Sequence, residues 1–356
     1  MPETHRSAAS LEALARDIFV AMGAGPDIAA TVAGHLVRAN LSGHDSHGVL
    51  RIPQYIAEAD RGSLLPAARP ELVSDRGAIG ILDAHRGFGH SAAAMAMEWA
   101  SERALEVGIA AVAIQRANHL GRIGEYAEIA AARGVIGIAT VGVVGGGGVT
   151  PFGGRGRFLG TNPWAIGVPG AGDPMIFDAA TSAIAEGKLR VARSRGVAAP
   201  AGTLVDAEGK PSTDPGVFYA GGALLPLGGE LAGHKGYGLA LASALIGGLA
   251  MVDDDDPTPA GTTSAVSSER WLGGAMTIAI DPARFGVADR YRAAVEGVLT
   301  DLRRQPPADG FEKVMVPGDP ERASRERRSR EGIPIANPIW AELVAAAARY
   351  GVLPEG

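Results

Sequence analysis

The sequence predicts an α/β protein that opens with a small helical unit. Residues 8–23 and 26–41 carry apolar side chains at helical spacing. From residue 78 onward, short apolar runs typical of strands alternate with longer amphipathic stretches typical of helices. Hydrophobic residues make up 46% of the 356 residues and charged residues 20%, so the chain can bury a sizeable core.

The helical unit has local start and stop signals. Pro26 suits the first turn of the second helix, and Gly23 and Gly25 suit the break before it. A third helix is predicted over residues 46–60, where Pro53 is close enough to the start to be tolerated. The histidine-bearing segment therefore lies at a joint between helices.

The α/β part is assigned from the same periodicities. The predicted strands are 78–83, 109–114, 135–141, 165–169, 175–177 and 275–280. The predicted helices are 91–107, 123–133, 183–192, 238–251 and 288–302. Residues 142–163 are rich in Gly and lack periodicity, and residues 194–230 read as loop. A last helix has Asn337 as its N-cap, Pro338 at its first position and Gly351 as its stop.

Composition excludes several function classes. The net charge is −6 and no basic stripe is present, so a nucleic-acid partner is not expected. The chain has no cysteine, which excludes disulfides, thiolate catalysis and thiolate metal sites, and fits a cytoplasmic enzyme. The longest apolar run, residues 239–252, is only fourteen residues long, and the N-terminus lacks the apolar core of a signal peptide. We therefore expect no membrane partner.

The most informative stretch holds His44, Asp45, Ser46, His47 and Arg51. Histidine exchanges protons near neutrality, and arginine grips a carboxylate through two parallel hydrogen bonds. This pattern predicts an enzyme that acts on a small carboxylate. Two histidines three residues apart could also ligate a metal, but no further ligand pattern accompanies them, and a capping or surface role is the plainer alternative.

A second cluster, Asn118–His119, follows the predicted strand 109–114, and strand ends are where α/β enzymes place their chemistry. The alternative is a histidine hydrogen-bonded within a loop. The residues Gly87, Gly89 and Ala92 fit the G-x-G-x-x-A fingerprint of dinucleotide folds, but the next strand lacks the acidic residue that the fingerprint requires. The run 145–148 of four glycines fits a pyrophosphate cradle, a lid or a tight bend equally well.

Other charged residues allow two interpretations each. Asp178 follows a strand, where it suits either a helix cap or a ribose contact. Lys235 opens a predicted buried helix against the helix dipole, which favours a bound phosphate. The acidic run 253–256 is expected to be a solvated turn rather than a metal loop. Residues 321–331 mix arginine with glutamate, and a salt-bridged surface helix is favoured over a phosphate site.

The order of these motifs resembles the malate/L-lactate dehydrogenase-like oxidoreductases, a family with a non-Rossmann cofactor fold. The resemblance runs almost end to end. It rests on the stretches 45–49, 118–121, 159–163, 177–182, 187–188, 224–229, 234–238 and 317–321. It implies hydride transfer between NAD or NADP and C2 of a small 2-hydroxy or 2-oxo acid. It also implies a homodimer and no catalytic metal.

The resemblance carries roles to individual positions. His47 corresponds to the acid/base, His119 to a second catalytic histidine and Arg51 to the carboxylate clamp. His44 and Tyr55 complete the substrate side. The positions that correspond to cofactor contacts are Asp178, Ala179, Thr181, Ser182, Lys235, Gly236, Gly318, Asp319 and Pro320. The glycine fingerprint at Gly87 then becomes a structural turn.

The implied architecture is a helical unit, residues 1–70, joined to a mixed-sheet cofactor unit, residues 71–284. Residues 285–356 are expected to pack back on the helical unit. One stretch departs from the family pattern, because residues 140–148 lack the Asn and Ser usual after that strand. Two rivals follow: reduction of a cyclic imine carboxylate, and a nucleotide-binding protein that has lost catalysis. A metal-dependent hydrolase is a more distant alternative.

Overall fold

The computed structural model describes residues 3–249 and 272–353. Its first unit is helical, and its elements are β1 (Glu3–Arg6), α1 (Ala8–Ala21), α2 (Pro26–Leu41) and α3 (Ile52–Asp60). Ser7 caps α1 by accepting the Ser10 amide through its hydroxyl, and Pro26 begins α2 as predicted. The buried faces of these helices form one apolar core with residues near the C-terminus.

The predicted single helix over residues 46–60 is wrong in its first part. Asp45–His47 and Val49–Arg51 are separate one-turn 3-10 helices, and Gly48 between them is extended. The side chain of Asn40 fills the space where a Cβ of residue 48 would stand, and its Oδ1 accepts the Val49 amide at 2.9 Å. The break therefore comes from tertiary packing of α2 and not from local propensity.

The second unit is a mixed sheet with helices. Its elements up to residue 179 are β2 (Glu71–Asp75), β3 (Ile79–Asp83), α4 (Gly89–Val107), β4 (Ile109–Gln115), α5 (Gly124–Ala132), β5 (Ile136–Val149), β6 (Trp164–Val168) and β7 (Met175–Ala179). Beyond residue 179 come α6 (Glu186–Ser194), β8 (Leu204–Val205), β9 (Pro211–Ser212), α7 (Gly216–Tyr219), β10 (Ala223–Leu224), α8 (Gly229–Gly247), β11 (Leu272–Ile280) and α9 (Ala288–Arg303).

The strand order confirms the α/β class and a mixed sheet. The order is β2-β3-β4-β11-β5-β10-β8-β9, and β6 joins β5 to β7. Only the β3–β4 and β5–β10 pairs are parallel among the described strands. The antiparallel β11 lies between β4 and β5, so this is not the doubly wound sheet of a Rossmann domain.

Two expectations about loops and boundaries are corrected. β5 continues to Val149 through the glycine-rich stretch, where α8 packs directly on it: a Cβ at Gly142 would lie 2.5 Å from the Ala244 amide nitrogen. Helix α8 begins at Gly229, nine residues before the predicted start at Gly238, and bends at Ala232. The predicted end of this helix at residue 251 and the acidic run 253–256 lie outside the described residues.

The C-terminal elements are α10 (Asp319–Glu331), β12 (Ile333–Ala336) and α11 (Asn337–Arg349). β12 pairs antiparallel with β1, a pair that the sequence patterns did not indicate. Asn337 is not the N-cap but the first residue of α11, and its side chain instead accepts the Thr4 hydroxyl at 2.9 Å. In the described part of the chain, no helix is long and apolar enough to cross a membrane.

Candidate active site

His47 and His119 lie face to face, with ring centroids 5.6 Å apart and planes 12° from parallel. Both line a cavity of about 200 Å³. Its other lining residues are Gln54, Leu120, Gly121, 141–143 and 160–163. The cavity thus has one wall that carries both histidines and a second wall built from β5 and the segment after residue 159. Sequence patterns far apart in the chain meet here.

The loop that carries His47 is held from two sides. Asn40 of α2 donates to Asp45 at 2.7 Å, and Arg328 of α10 binds the same carboxylate through both of its terminal nitrogens. Ser46 places its hydroxyl 3.1 Å from His47 Nδ1. Helix α10 is therefore more than the predicted salt-bridged surface helix, because Arg328 ties the loop that carries His47 to the C-terminal segment.

Arg51 is half-buried and already held in place. Its Nε donates to the Ser46 carbonyl and its Nη1 to Gln54 Oε1, both at 2.6 Å. Gln54 donates onward to Glu58 at 2.9 Å and lines the cavity, whereas Arg51 itself lies behind it. The guanidinium is close enough to His47 and His119 to depress both of their pKa values. The sequence did not single out Gln54, since one amide in a helix carries no signal.

His119 is positioned by the turn after β4. The Asn118 amide donates to the Arg86 carbonyl at 2.6 Å and to the Gly87 carbonyl at 3.2 Å. The Asn118 carbonyl stands where a Cβ of residue 89 would be, so only glycine fits there. The glycine fingerprint therefore serves packing: it lets the start of α4 approach the His119 turn.

Tyr55 does not line the cavity, contrary to the expected substrate contact. It is 1% exposed, and its hydroxyl lies 2.8 Å from His119 Nδ1 and 3.3 Å from Nε2 of a third histidine, His90. His44 also points elsewhere, because its Nε2 pairs with Glu321 of α10 at 3.0 Å. Both residues support the site from behind.

Burial keeps the imidazoles of the site neutral. Desolvation, followed by the charge of Arg51, lowers the pKa of His47 to about 3. Desolvation also lowers the pKa values of His119 and His90 well below the ordinary range. Neutral His47 has a lone pair that can take a proton, but the lowered pKa makes it a weak base in the empty cavity. Its imidazolium form, which the reductive direction needs as an acid, is disfavoured until a negative charge enters the cavity.

The second wall is held together by side-chain hydrogen bonds to the backbone. Asn162 accepts the Val143 amide at 3.0 Å and donates to the Ala240 carbonyl at 2.8 Å. Thr181 donates its hydroxyl to the carbonyls of Thr161 and Asn162 at 2.9 and 3.0 Å. Asn162 lies in the stretch 159–163 that supports the family resemblance, but the resemblance gave this residue no role. Its positive φ of 37° marks the turn that shapes this wall.

Two of the expected cofactor residues, Asp178 and Asp319, form bonds with protein groups. Asp178 accepts the Gly124 amide at 2.8 Å and faces Arg122 at 3.8 Å, and burial raises its pKa. Asp319 pairs with Arg303 and Arg322, and its pKa falls to about 2 although burial opposes the shift. Neither carboxylate lines the cavity. Their hydrogen bonds to backbone amides fix the start of α5 and of α10.

The remaining expected cofactor positions lie on or beside β7, α8 and α10. Ala179 ends β7, and Ser182 donates to the Ile184 carbonyl at 2.9 Å. Gly236 is buried where α8 packs on the Leu227 backbone, and Lys235 beside it is exposed. Gly318 caps α10 with a φ of +101°, and Pro320 is the second residue of that helix. Of these residues, Lys235 alone offers a free charged group on the surface.

The described residues contain no cluster of three histidine or carboxylate side chains that could hold a metal ion. The polar side chains that line the cavity include the imidazoles of His47 and His119 and the amides of Gln54 and Asn162. Such a set suits proton transfer beside a bound carboxylate.

Comparison with known proteins places this site in a family. The family model described as malate/L-lactate dehydrogenase matches residues 7–344. The chain is 38% identical to hydroxycarboxylate dehydrogenase B of Escherichia coli over 359 aligned positions, which cover 100% of this chain and 97% of that protein. The chain belongs to the malate/L-lactate dehydrogenase family. It is accordingly a 2-hydroxy acid oxidoreductase, as the motifs predicted.

Solved structures of this family have the same fold. The sulfolactate dehydrogenase of Methanocaldococcus jannaschii superimposes with a TM-score of 0.86 at 31% identity, covering 98% of both chains. The delta1-piperideine-2-carboxylate reductase of Pseudomonas syringae gives 0.82 at 30% identity, covering 97% of this chain and 100% of that one. Solved structures that share this fold thus include a dehydrogenase and a carboxylate reductase.

A nicotinamide cofactor fits the second wall of the cavity. That wall, residues 141–143 and 160–163, has no ionisable side chain, and a Cβ at Gly160 would lie 2.6 Å from Asn162 Oδ1. A flat ring needs such a smooth, uncharged surface opposite the proton-transfer groups. Thr161 would border the ring on this wall, and the exposed Lys235 would suit a phosphate of the cofactor.

Proposed function

We propose that this protein interconverts a small 2-hydroxy acid and its 2-oxo acid, with His47 as the acid/base and Arg51 as the carboxylate clamp. One observation carries the proposal: two half-buried imidazoles, both with lowered pKa values, face each other in a small cavity, and the Arg51 guanidinium bonds Gln54, which lines that cavity. The cavity, about 200 Å³, is below the range of pockets for drug-sized ligands and suits a compact substrate.

His47 is arranged to take a proton. Ser46 holds Nδ1, so Nε2 is the ring nitrogen left for the substrate. In the oxidative direction neutral His47 accepts the hydroxyl proton while hydride leaves C2; the bound nicotinamide supplies the hydride acceptor. In the reductive direction the same atom returns a proton to the oxygen. Such acid–base help contributes roughly 10²–10⁴-fold to the rate.

Arg51 is preorganised to hold the carboxylate. Two of its nitrogens are fixed by the Ser46 carbonyl and Gln54, so the side chain loses little freedom when a substrate binds. A substrate carboxylate that displaces the Gln54 amide would meet the guanidinium as a planar fork. The same negative charge would raise the pKa of His47 and favour its acidic form.

The test is a cofactor-oxidation assay with pyruvate, oxaloacetate and piperideine-2-carboxylate, each with NADH and with NADPH. We expect turnover of a 2-oxo acid with at least one cofactor. Arg51→Lys should raise KM for that acid at least tenfold, because a single ammonium cannot replace the fork. Arg61→Lys, an exposed change about two helix turns beyond Gln54, should leave KM unchanged.

Two other outcomes of this assay would each support one of the alternative functions. Turnover of piperideine-2-carboxylate alone would assign the site to imine reduction, a possibility favoured by the structural likeness to a reductase of that substrate. Binding of NADH or NADPH without turnover of any acid would indicate a nucleotide-binding protein that has lost catalysis. Unchanged KM in Arg51→Lys would contradict the clamp while leaving the family activity intact.

We also propose a cytoplasmic homodimer. Apolar side chains are exposed near the end of β11, and Phe285 and Val287 are 78% and 70% exposed in one chain. They border an apolar groove that also includes Ile136, Ile280 and Tyr291. Light scattering of the purified protein would give twice the chain mass of 36.3 kDa if the proposal holds.

A further inference from the structure

Gln54 stands between the guanidinium of Arg51 and the catalytic cavity. Arg51 Nη1 donates to Gln54 Oε1 at 2.6 Å, and Gln54 lines the cavity whereas Arg51 does not. Arg51 Nε is bound on the protein side by the Ser46 carbonyl. The amide oxygen of Gln54 therefore occupies the part of the guanidinium that a substrate carboxylate would need.

Glu58 fixes the orientation of this amide. It lies one helical turn after Gln54 in α3, it is 4% exposed, and its Oε1 accepts Gln54 Nε2 at 2.9 Å. An amide has one acceptor end and one donor end, so the bond to Glu58 turns the oxygen toward Arg51. Gln54 is thus a neutral stand-in for a carboxylate on the clamp, and a buried acid holds it in place.

The rest of the cavity lining is uncharged. Apart from Gln54 and the two histidines, its members are Leu120, Gly121, 141–143 and 160–163. None of these described residues has an ionisable side chain. Desolvation lowers the pKa values of His47 and His119, so both rings are neutral near pH 7. Among the residues that the structure describes, the guanidinium bound to Gln54 is therefore the cation available to the cavity.

Two other basic side chains near His47 are paired with carboxylates. His44 Nε2 lies 3.0 Å from Glu321, and Arg122, whose side chain is 1% exposed, donates to Glu128 at 2.9 Å. Neither of them lines the cavity. A second anionic group on a substrate would therefore leave water without gaining a cation, which is costly in a partly buried site.

We propose that this site selects 2-oxo acids whose C1 carboxylate is the only charged group, and that Gln54 sets this selectivity. The inference rests on the proposed 2-oxo acid reduction and names its substrate class. The C1 carboxylate takes the place of the Gln54 oxygen on Arg51, where it gains the same hydrogen bond with a full charge. The remainder of the substrate then meets neutral groups, so a short apolar substituent is favoured over a second carboxylate.

The first test compares two 2-oxo acids that differ only at C4. 2-Oxobutyrate ends in a methyl group where oxaloacetate has a carboxylate. We expect kcat/KM for 2-oxobutyrate to exceed that for oxaloacetate roughly tenfold or more with the same cofactor, because the second carboxylate is left unpaired. Equal values, or a higher value for oxaloacetate, would overturn the inference.

The second test changes the charge at residue 54. Gln54→Arg places a guanidinium at the edge of the cavity, where Glu58 can anchor it as it anchors the amide. The ratio of kcat/KM for oxaloacetate to that for 2-oxobutyrate should rise roughly tenfold or more, since the second carboxylate gains a bidentate partner. Gln305→Arg adds the same charge at an exposed position just after α9 and should leave the ratio unchanged. An unchanged ratio in Gln54→Arg would remove Gln54 from substrate selection.

Gln54→Glu keeps the inference testable if the arginine variant fails to fold. Glutamate has nearly the shape of glutamine, and its ionised carboxylate would bind Arg51 as a substrate carboxylate does. We expect KM for 2-oxobutyrate to rise roughly tenfold or more with a smaller change in kcat, because the substrate must displace a charged competitor. An unchanged KM would show that residue 54 does not occupy the clamp.

A readout without turnover separates this inference from the proposed function. Butyrate and succinate lack the carbonyl and are unreactive, and they differ in the same terminal group as the two 2-oxo acids. Calorimetric titration of the purified protein should show tighter binding of butyrate than of succinate. Equal or tighter binding of succinate contradicts the inference even in an active enzyme. A preference for butyrate in a protein that turns over no 2-oxo acid supports the neutral cavity and contradicts the proposed reaction.

Discussion

At the scale of single residues, the chemistry depends on where protons reside. The sequence identified His47, His119 and Arg51 correctly as neighbours in the fold, since motif order carries that information even across 70 residues. The sequence predicted that Tyr55 and His44 contact the substrate, whereas in the structure both side chains bond protein groups. Side-chain direction depends on packing partners such as α10, which no local pattern reveals.

Replacing His47 tests the residue at the centre of the site. We expect His47→Gln to lower kcat/KM by about 10²–10⁴-fold, because glutamine keeps a polar contact to Ser46 but cannot take a proton. Binding of NADH, measured by its fluorescence, should change little. His85→Gln, on a more exposed side chain that pairs with Glu71, is the matched control and should retain activity. Near-normal turnover in His47→Gln would remove His47 from the mechanism.

At the scale of elements, tertiary packing decided where helices and strands end. The long central helices and strands follow their periodicity, as in β4, which ends one residue after the predicted limit. The glycine-rich part of β5 was missed because glycine gives no periodicity, while α8 packing against Gly142 makes the strand continue. The break at Gly48 was missed because Asn40, eight residues earlier, imposes it.

Gly48 offers a direct test of that break. A Cβ at this position would collide with the Asn40 side chain, which binds both Asp45 and the Val49 amide. We expect Gly48→Ala to lower the free energy of unfolding by about 1–3 kcal/mol and to reduce activity by displacing the His47 loop. Chemical denaturation and kcat/KM measure the two effects.

The control for Gly48→Ala lies in α9, where a Cβ at Gly297 would meet open space. Gly297→Ala should raise the free energy of unfolding by about 0.5–1 kcal/mol, since alanine restricts the unfolded chain and suits a helix. Equal stability of the two variants would contradict the role assigned to Asn40.

At the scale of the whole molecule, the N-terminal and C-terminal segments form one helical core. Leu11, Phe19 and Ile52 pack with Ile333 and Leu343 in that core. Helix α9 instead contacts the sheet unit, where Glu296 accepts the Gly172 amide at 3.1 Å. We therefore propose that the C-terminal contribution to the helical unit begins after α9, later than residue 285.

Histidines with lowered pKa values make the free energy of unfolding of the whole fold sensitive to acid. The folded pKa values of His47, His90 and His119 lie below the unfolded value near 6.5, so the unfolded chain binds more protons as pH falls. The free energy of unfolding should drop by about 1.4 kcal/mol per pH unit for each histidine below that value, and for His47 until about pH 3.

Urea denaturation between pH 7.5 and 5 measures this slope, in a range where most carboxylates stay ionised in the unfolded chain. His47→Gln should reduce the slope by about one proton equivalent. A slope that is flat in the wild type would show that these imidazoles are protonated in the folded state.

The sequence by itself determined the family and the α/β class, and it supplied the residues that we propose carry proton transfer. The order of motifs along the chain and the chemistry of single residues can be read from the sequence without a structure. Only the tertiary structure decided that Gln54 and Asn162 border the cavity, that Asp178 and Asp319 brace helices, and that His90 connects to His119 through Tyr55. Those relations join residues distant in the chain, and packing alone sets which atoms meet.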